Sequence, residues 1–157
     1  MKFRISALFI FVISFASAQN IVSPSKEISV NFSLNNSKPT YSVSYKGKPV
    51  INQSELGFKL KNLPALDNDF VVSDTKTSTV NNEWKPVLGE VAVIKNNYNE
   101  LRISLLQKST KVKMDIVFRV FNEGVGFRYE FPKQENLNYF IVTDEETQFN
   151  PVSYTHL

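Results

Sequence analysis

Four carboxylates stand in segments rich in polar and aromatic side chains: Glu90, Glu100, Glu123 and Glu130. Two carboxyl groups flanking a sugar would hydrolyse its glycosidic bond, with retention at about 5 Å separation and inversion at roughly 6.5–9.5 Å. The residues alone bring no two of the four together. The default for each is a surface charge or a paired one. Three segments hold them: Trp84-Lys85-Pro86-Val87-Leu88-Gly89-Glu90, Asn96-Asn97-Tyr98-Asn99-Glu100-Leu101, and the run from Phe118 to Pro132. Stacking on Trp84 or Tyr98, with Asn97, Asn99 and Glu100 as hydrogen-bonding partners, is the sugar-binding arrangement these residue types allow.

Other chemistries fall away. Cysteine is absent, which removes disulfides, thiolate metal sites and cysteine nucleophiles. The one histidine, His156, lies two residues from the end and argues against a Ser-His-Asp triad or a multi-histidine metal site. Gly124 and Gly126 form no phosphate loop, since no Lys-Ser/Thr follows and no helix opens after them.

The elements that must position these groups read as strands. Ile28, Val30, Phe32 and Leu34 alternate with polar neighbours, the period of a half-buried strand. The turn cluster Asn35 to Pro39 and the alternation Tyr41, Val43, Tyr45 complete a hairpin, closed by Lys46-Gly47. Short strands are expected at Pro49–Ile51, Leu56–Leu60, Phe70–Val72 and Thr75–Val80, with a polar loop from Asn62 to Asp69. Leu101, Ile103 and Leu105 alternate again, as do Val112, Met114, Ile116, Phe118 and Val120. Val117 and Phe121 make the second half of that strand apolar on both faces, so it should enter a covered interior.

Within the third segment, Asn122 and Gly124 suit a tight hairpin with positive φ, and Gly126 suits a bulge or a close backbone approach. Arg128 and Glu130 share one face and could pair with charges on neighbouring strands. Phe127–Phe131 and Tyr139–Val142 are the last strands. About ten short strands spaced by turn signals, with no 3.6-residue period, indicate an all-β antiparallel sandwich. The thirteen Phe and six Tyr lie mostly on the inward phase and read as core, with one or two left as sugar platforms.

The first eighteen residues read as a secretory signal peptide. Lys2 and Arg4 supply the positive end, Ala7 to Phe15 the apolar stretch, and Ala16-Ser17-Ala18 the cleavage site before Gln19. The apolar run is too short for a stable membrane span. Export to a bacterial periplasm follows as the expectation, with no membrane attachment after cleavage. The whole chain has 18 Lys plus Arg against 15 Asp plus Glu, and losing Lys2 and Arg4 leaves 16 − 15 = +1. That charge gives no basis for nucleic-acid binding.

The Trp-x-Pro-x-x-Gly-Glu element at Trp84–Glu90, the Asn-x-Tyr-Asn-Glu-Leu element at Asn96–Leu101, and the element Phe121-Asn122-Glu123-Gly124-Val125-Gly126-Phe127-Arg128-Tyr129-Glu130-Phe131-Pro132 carry a resemblance. In order and separation they resemble glycoside hydrolase family 97, the SusB-like α-glucosidase and α-galactosidase family of Bacteroidetes-type bacteria. Leu56-Gly57-Phe58 and the strand pair at Ile28–Tyr45 are similar to it as well. The resemblance covers roughly Ile21 to Phe149.

It implies that residues 19–150 are the first part of an N-terminal β-super-sandwich similar to galactose mutarotase. A catalytic (β/α)₈ barrel would then be the missing intramolecular partner. It also implies that the full-length enzyme acts on α-linked glucose or galactose and uses Ca²⁺. No catalytic motif, metal ligand or cofactor maps onto this chain. Residues 151–157, Pro151 to Leu157, depart from the family pattern and read as adapter sequence on an interrupted gene or as a divergent natural end. The alternative of another class is a stand-alone periplasmic β-sandwich that binds carbohydrate without cutting it.

Overall fold

The computed structural model describes residues 18–87 and 92–153. The signal segment up to Ser17, the carboxylate Glu90 and the histidine His156 lie outside the described residues. Ten strands run in the order β1 (Gln19–Val22), β2 (Ile28–Asn35), β3 (Lys38–Tyr45), β4 (Lys48–Glu55), β5 (Phe58–Leu60), β6 (Phe70–Trp84), β7 (Ile94–Gln107), β8 (Lys113–Phe121), β9 (Val125–Glu130) and β10 (Val142–Glu145). Among the described residues the only helical turn is the short 3₁₀ segment Glu135–Leu137.

Two four-stranded antiparallel meanders, β1-β2-β3-β4 and β6-β7-β8-β9, form the layers, and β5 pairs with β10 beside them. The hairpins follow from local backbone chemistry. Asn36 and Ser37 (φ 50° and 64°) join β2 to β3, and Lys46 and Gly47 (φ 49° and 77°) join β3 to β4. Two-residue loops with both φ values positive match the right-handed twist of the strands they join. The β2–β3 register, Ile28 opposite Tyr45 and Phe32 opposite Tyr41, is the hairpin expected from the alternation.

The inward phase of both layers makes one core. Val30 and Phe32 meet Ile103, Leu105, Met114, Ile116 and Phe118 there, all buried. Phe118 centres an aromatic cluster, its ring 6.5 Å from Phe32, 6.0 Å from Tyr41 and 5.6 Å from Phe127. Each such side chain contributes about 1.5–3 kcal/mol by leaving water. Phe58 meets Tyr129 edge-on at 4.4 Å. Burial pushes the Tyr129 phenol well above its usual range, and its hydroxyl shares a hydrogen bond with Thr147 Oγ1 at 2.7 Å.

Several sequence expectations change. Phe70–Val72 and Thr75–Val80 are one fifteen-residue strand, bent by a register shift between Val72 and Asp74. Its partner β7 starts at Ile94, so the Asn96–Leu101 segment is strand throughout. The polar run Asn96-Asn97 hid this, because it lies in the two-stranded outer part of the ribbon, beyond the end of β8. The last strand begins at Val142 rather than Tyr139, and Tyr139 is exposed.

Gly124 and Gly126 do not have positive φ. Gly126 pairs in regular register with Arg119, with open space where a side chain would stand, so it is neither bulge nor close approach. The glycine that close packing does require is Gly57, where a Cβ would lie 2.8 Å from Asp67 Cα.

After β10 the chain keeps to one edge of the first layer. Gln148 N–H donates to the Glu55 carbonyl, Asn52 N–H to that of Asn150, and Val152 N–H to that of Val50. Pro151 bridges Ile51 in the same antiparallel sense, so the start of the C-terminal tail lies alongside β4.

Candidate functional site

Strand alternation places Glu100 and Arg102 of β7, Asp115 and Arg119 of β8, and Arg128 and Glu130 of β9 on the face of their sheet turned away from the core. The register aligns Glu100, Arg119 and Gly126 in one row, Arg102, Val117 and Arg128 in the next, and Ser104, Asp115 and Glu130 in a third. Arg102 Nη1 donates to Asp115 Oδ2 at 2.8 Å and to Glu130 Oε2 at 2.6 Å. Arg128 Nε donates to Glu130 Oε1 at 2.7 Å, and Arg119 Nε to Glu100 Oε2 at 2.7 Å. Three arginines and three carboxylates thus form one lattice.

Val117, in the middle of it, is fully buried yet lies outside the core cluster. The covered interior expected around the apolar half of β8 is therefore roofed by charged side chains. Beside the lattice, Arg119 lies over the Tyr98 ring, 4.7 Å from its centroid, and Tyr98 packs on Phe121 at 5.0 Å.

This geometry bears on acid–base chemistry. Arg102, then Arg128, hold the Glu130 carboxyl below its usual range. A glycosidase general acid needs its carboxyl raised instead, so that it carries a proton at neutral pH. Glu100 accepts from Arg119 and lies 3.9 Å from Arg128 Nη2. Glu123 is not in the lattice; it stands in the β8–β9 turn and lines an open cleft.

That cleft, of about 660 Å³, lies between the first layer and the β8–β9 turn. Its apolar lining includes Tyr41, Val43, Ile51, Val125, Phe127 and Phe149.

The structure separates the residues read as sugar-binding candidates. Tyr98 is 5% exposed, under Arg119 and against Phe121, and offers no free ring face. Asn99 turns to the opposite face, where it accepts from Thr79 Oγ1 at 2.8 Å and donates to the Val22 carbonyl at 2.8 Å, tying the two layers together. Glu100 is held by the lattice. Asn97 pairs with Asn81 in the β6–β7 ribbon. Only Trp84, at the end of β6 and 53% exposed, has a ring open to a partner.

The glycosyl-hydrolase 97 N-terminal family model matches residues 21–156. The chain belongs to this family. Among solved structures, a family-97 enzyme from Pseudoalteromonas sp. strain K8 in complex with panose is 34% identical, with a TM-score of 0.80 over 83% of this chain and 20% of that one. The same enzyme in complex with acarbose gives the same values. A β-arabinopyranosidase is 25% identical, with a TM-score of 0.78 over 85% of this chain and 21% of that one. The chain therefore spans about one fifth of the length of the relatives it matches.

The strand register explains why the second and third motif segments meet. The second segment supplies Tyr98 and Glu100, and the third supplies Arg119, Arg128 and Glu130 to the same sheet face. Sequence reasoning anticipated that Arg128 and Glu130 would find cross-strand partners but did not name Arg102 or Asp115. Arg102 lies two residues from Glu100 and Asp115 four from Arg119 on their own strands, same-face spacings that would have pointed to them once the register was known.

The calcium that the family resemblance implies finds no fit here. Among the described residues no three His, Cys, Asp or Glu side chains gather as a ligand set. Asp115, Glu130 and Glu100 are each engaged by arginine.

Proposed function

We propose that this chain is the non-catalytic N-terminal portion of an exported glycoside hydrolase acting on α-linked glucose or galactose. In that reading it packs on a catalytic (β/α)₈ barrel carried by the rest of the polypeptide and shapes one side of the active-site mouth. The observation that carries this is the one-fifth coverage of enzymes whose complexes hold panose and acarbose. The open apolar cleft and the arginine-bound carboxylates support it, since neither is arranged for bond cleavage. Calcium belongs, in this reading, to the remainder. Export rests on Lys2, Arg4, the apolar stretch and Ala16-Ser17-Ala18, with the periplasm as the destination.

Two measurements test it. Sequencing the gene beyond codon 157 should show the frame running on into a barrel, with residues 151–157 replaced or continued. The purified segment from Gln19 should not hydrolyse nitrophenyl α-glucoside or α-galactoside. Measurable turnover by that segment would sink the reading.

The exposed indole of Trp84 favours a second reading, a stand-alone carbohydrate-binding sandwich. A cooperative melt of the segment that shifts with maltooligosaccharide or galactoside would support that reading against the first.

A further inference from the structure

The longest hairpin of the protein outruns its sheet. β6 and β7 pair without a break from Asp74 opposite Ser104 to Trp84 opposite Ile94. β8 joins β7 only as far as Tyr98, opposite Phe121. The pairs Asn81–Asn97, Asn82–Asn96, Glu83–Lys95 and Trp84–Ile94 thus form a two-stranded arm beyond the third strand. An isolated ribbon of this kind is marginal in water without something to pack on.

Where the arm ends, Trp84 is half-exposed and Val87 is 99% exposed, with Lys85 and Pro86 between them. A tryptophan buries on the order of 150–250 Å² when covered, and tryptophans at the centre of an interface commonly anchor it. Behind it the arm is polar, with the exposed Glu83–Lys95 pair first and the Asn82–Asn96 pair beyond it. Asn96 Nδ2 donates to Asn82 Oδ1 at 3.0 Å. An exposed indole followed by a charged pair and an amide pair suits a protein surface with an apolar pocket and a polar, hydrogen-bonding rim.

The family match runs through the arm, so the arm belongs to the family's domain and is no appendage of this chain. About four fifths of the length of the matched relatives lies beyond what this chain covers. We infer that the β6–β7 arm grips the remainder of the longer polypeptide, with Trp84 seated in an apolar pocket of that remainder and the Asn82–Asn96 pair on its rim. This rests on the reading above that a longer polypeptide exists, and adds the element that makes the contact.

The test is hydroxyl-radical labelling of the longer gene product, read residue by residue by mass spectrometry. Tyr139 serves as an exposed reference and Phe118 as a buried one. Trp84, normalised for intrinsic reactivity, should label several-fold more slowly than Tyr139 and close to Phe118. In the Trp84→Ala variant, residues beyond position 157 that line the pocket should gain label. Free labelling of Trp84 with protection at the cleft residue Phe149 overturns this inference and leaves the domain reading standing. Free labelling at both sites overturns both. Labelling of Trp84 that slows only when panose is added overturns the docking role in favour of a sugar platform. Protection of Trp84 with no gain of label beyond position 157 in Trp84→Ala also overturns it, because the cover then comes from within the segment.

Discussion

Arg102, on β7, reaches Glu130, on β9, across the whole width of the intervening strand, Nη1 to Oε2 at 2.6 Å. Asp115 on β8 takes the same nitrogen at 2.8 Å, so one guanidinium ties three strands together. The Arg102 side chain is 30% exposed and that of Asp115 13%, which makes this lattice a half-buried structure rather than a fringe of surface pairs. Hydrogen bonds to charged partners in such settings contribute more than neutral ones.

Removing this link should be felt as stability. Arg102→Ala leaves Asp115 and Glu130 without their shared donor and bares Val117. The expected loss is about 1.5–3 kcal/mol, the range for hydrogen bonds to charged groups. Arg102→Lys should recover part of this, since it keeps the charge but loses the planar guanidinium that sets Nη1 between both acceptors. Urea midpoints of the segment from Gln19 provide the check. Equal midpoints for wild type and Arg102→Ala would show the lattice to be ornamental.

The same lattice sets an acid limit. Arg102 and Arg128 depress the Glu130 carboxyl below its ordinary 4.5, so the folded state binds that proton less readily than the unfolded chain does. The stability Glu130 confers is therefore fully present above about pH 4.5 and is lost as pH falls through its depressed folded value. Glu130→Gln should be less stable than wild type at neutral pH. Its stability should also decline less steeply between pH 5 and pH 3. Parallel acid limbs for the two proteins in denaturant titrations at stepped pH would contradict this assignment.

Two glycines should respond in opposite ways. A Cβ on Gly57 would lie 2.8 Å from both Cα and Cβ of Asp67 and 3.0 Å from the Leu66 carbonyl, and backbone cannot step aside cheaply. Gly57→Ala should cost about 1–3 kcal/mol by overpacking. Gly126 has open space and an ordinary φ, so Gly126→Ala should stay within about 0.5 kcal/mol of wild type. Thermal melts of the two variants side by side check both. A larger loss for Gly126→Ala than for Gly57→Ala would reverse the argument.

These contrasts mark what could be read without coordinates. The β2–β3 hairpin was legible because Ile28, Val30 and Phe32 face a core while their neighbours face water, and burial writes period two into the residues. The outer half of β6–β7 was not, because Asn81, Asn82, Asn96 and Asn97 have no packed layer to alternate against. In sequence Gly126 reads as the site of a bulge or close approach and Gly57 only as part of a short strand. The approach of Asp67, ten positions from Gly57, reverses the two. The candidate site was legible as segments but not as a surface. Tyr98 and Glu100 read as ligand groups until Arg119, from another strand, was seen to cover one and bind the other.

The aromatic load makes the last prediction. Phe118 is fully buried and meets three other rings, whereas Trp84 stands half in solvent at the end of a ribbon. Phe118→Ala should remove about 3–5 kcal/mol, the cost of a lost core ring plus the cavity it leaves. That is a large share of the 5–15 kcal/mol by which ordinary domains are stable, so this variant of the isolated segment should be largely unfolded. Phe118→Leu keeps most of the volume and should remain folded with a smaller loss. Trp84→Ala in the same segment should leave the urea midpoint within about 0.5 kcal/mol of wild type, the range for exposed substitutions away from packed features. Circular dichroism and urea titration of the three variants decide it. If Trp84→Ala cost as much as Phe118→Ala, the indole would be packed within this segment, and its role as an outward-facing anchor would be lost.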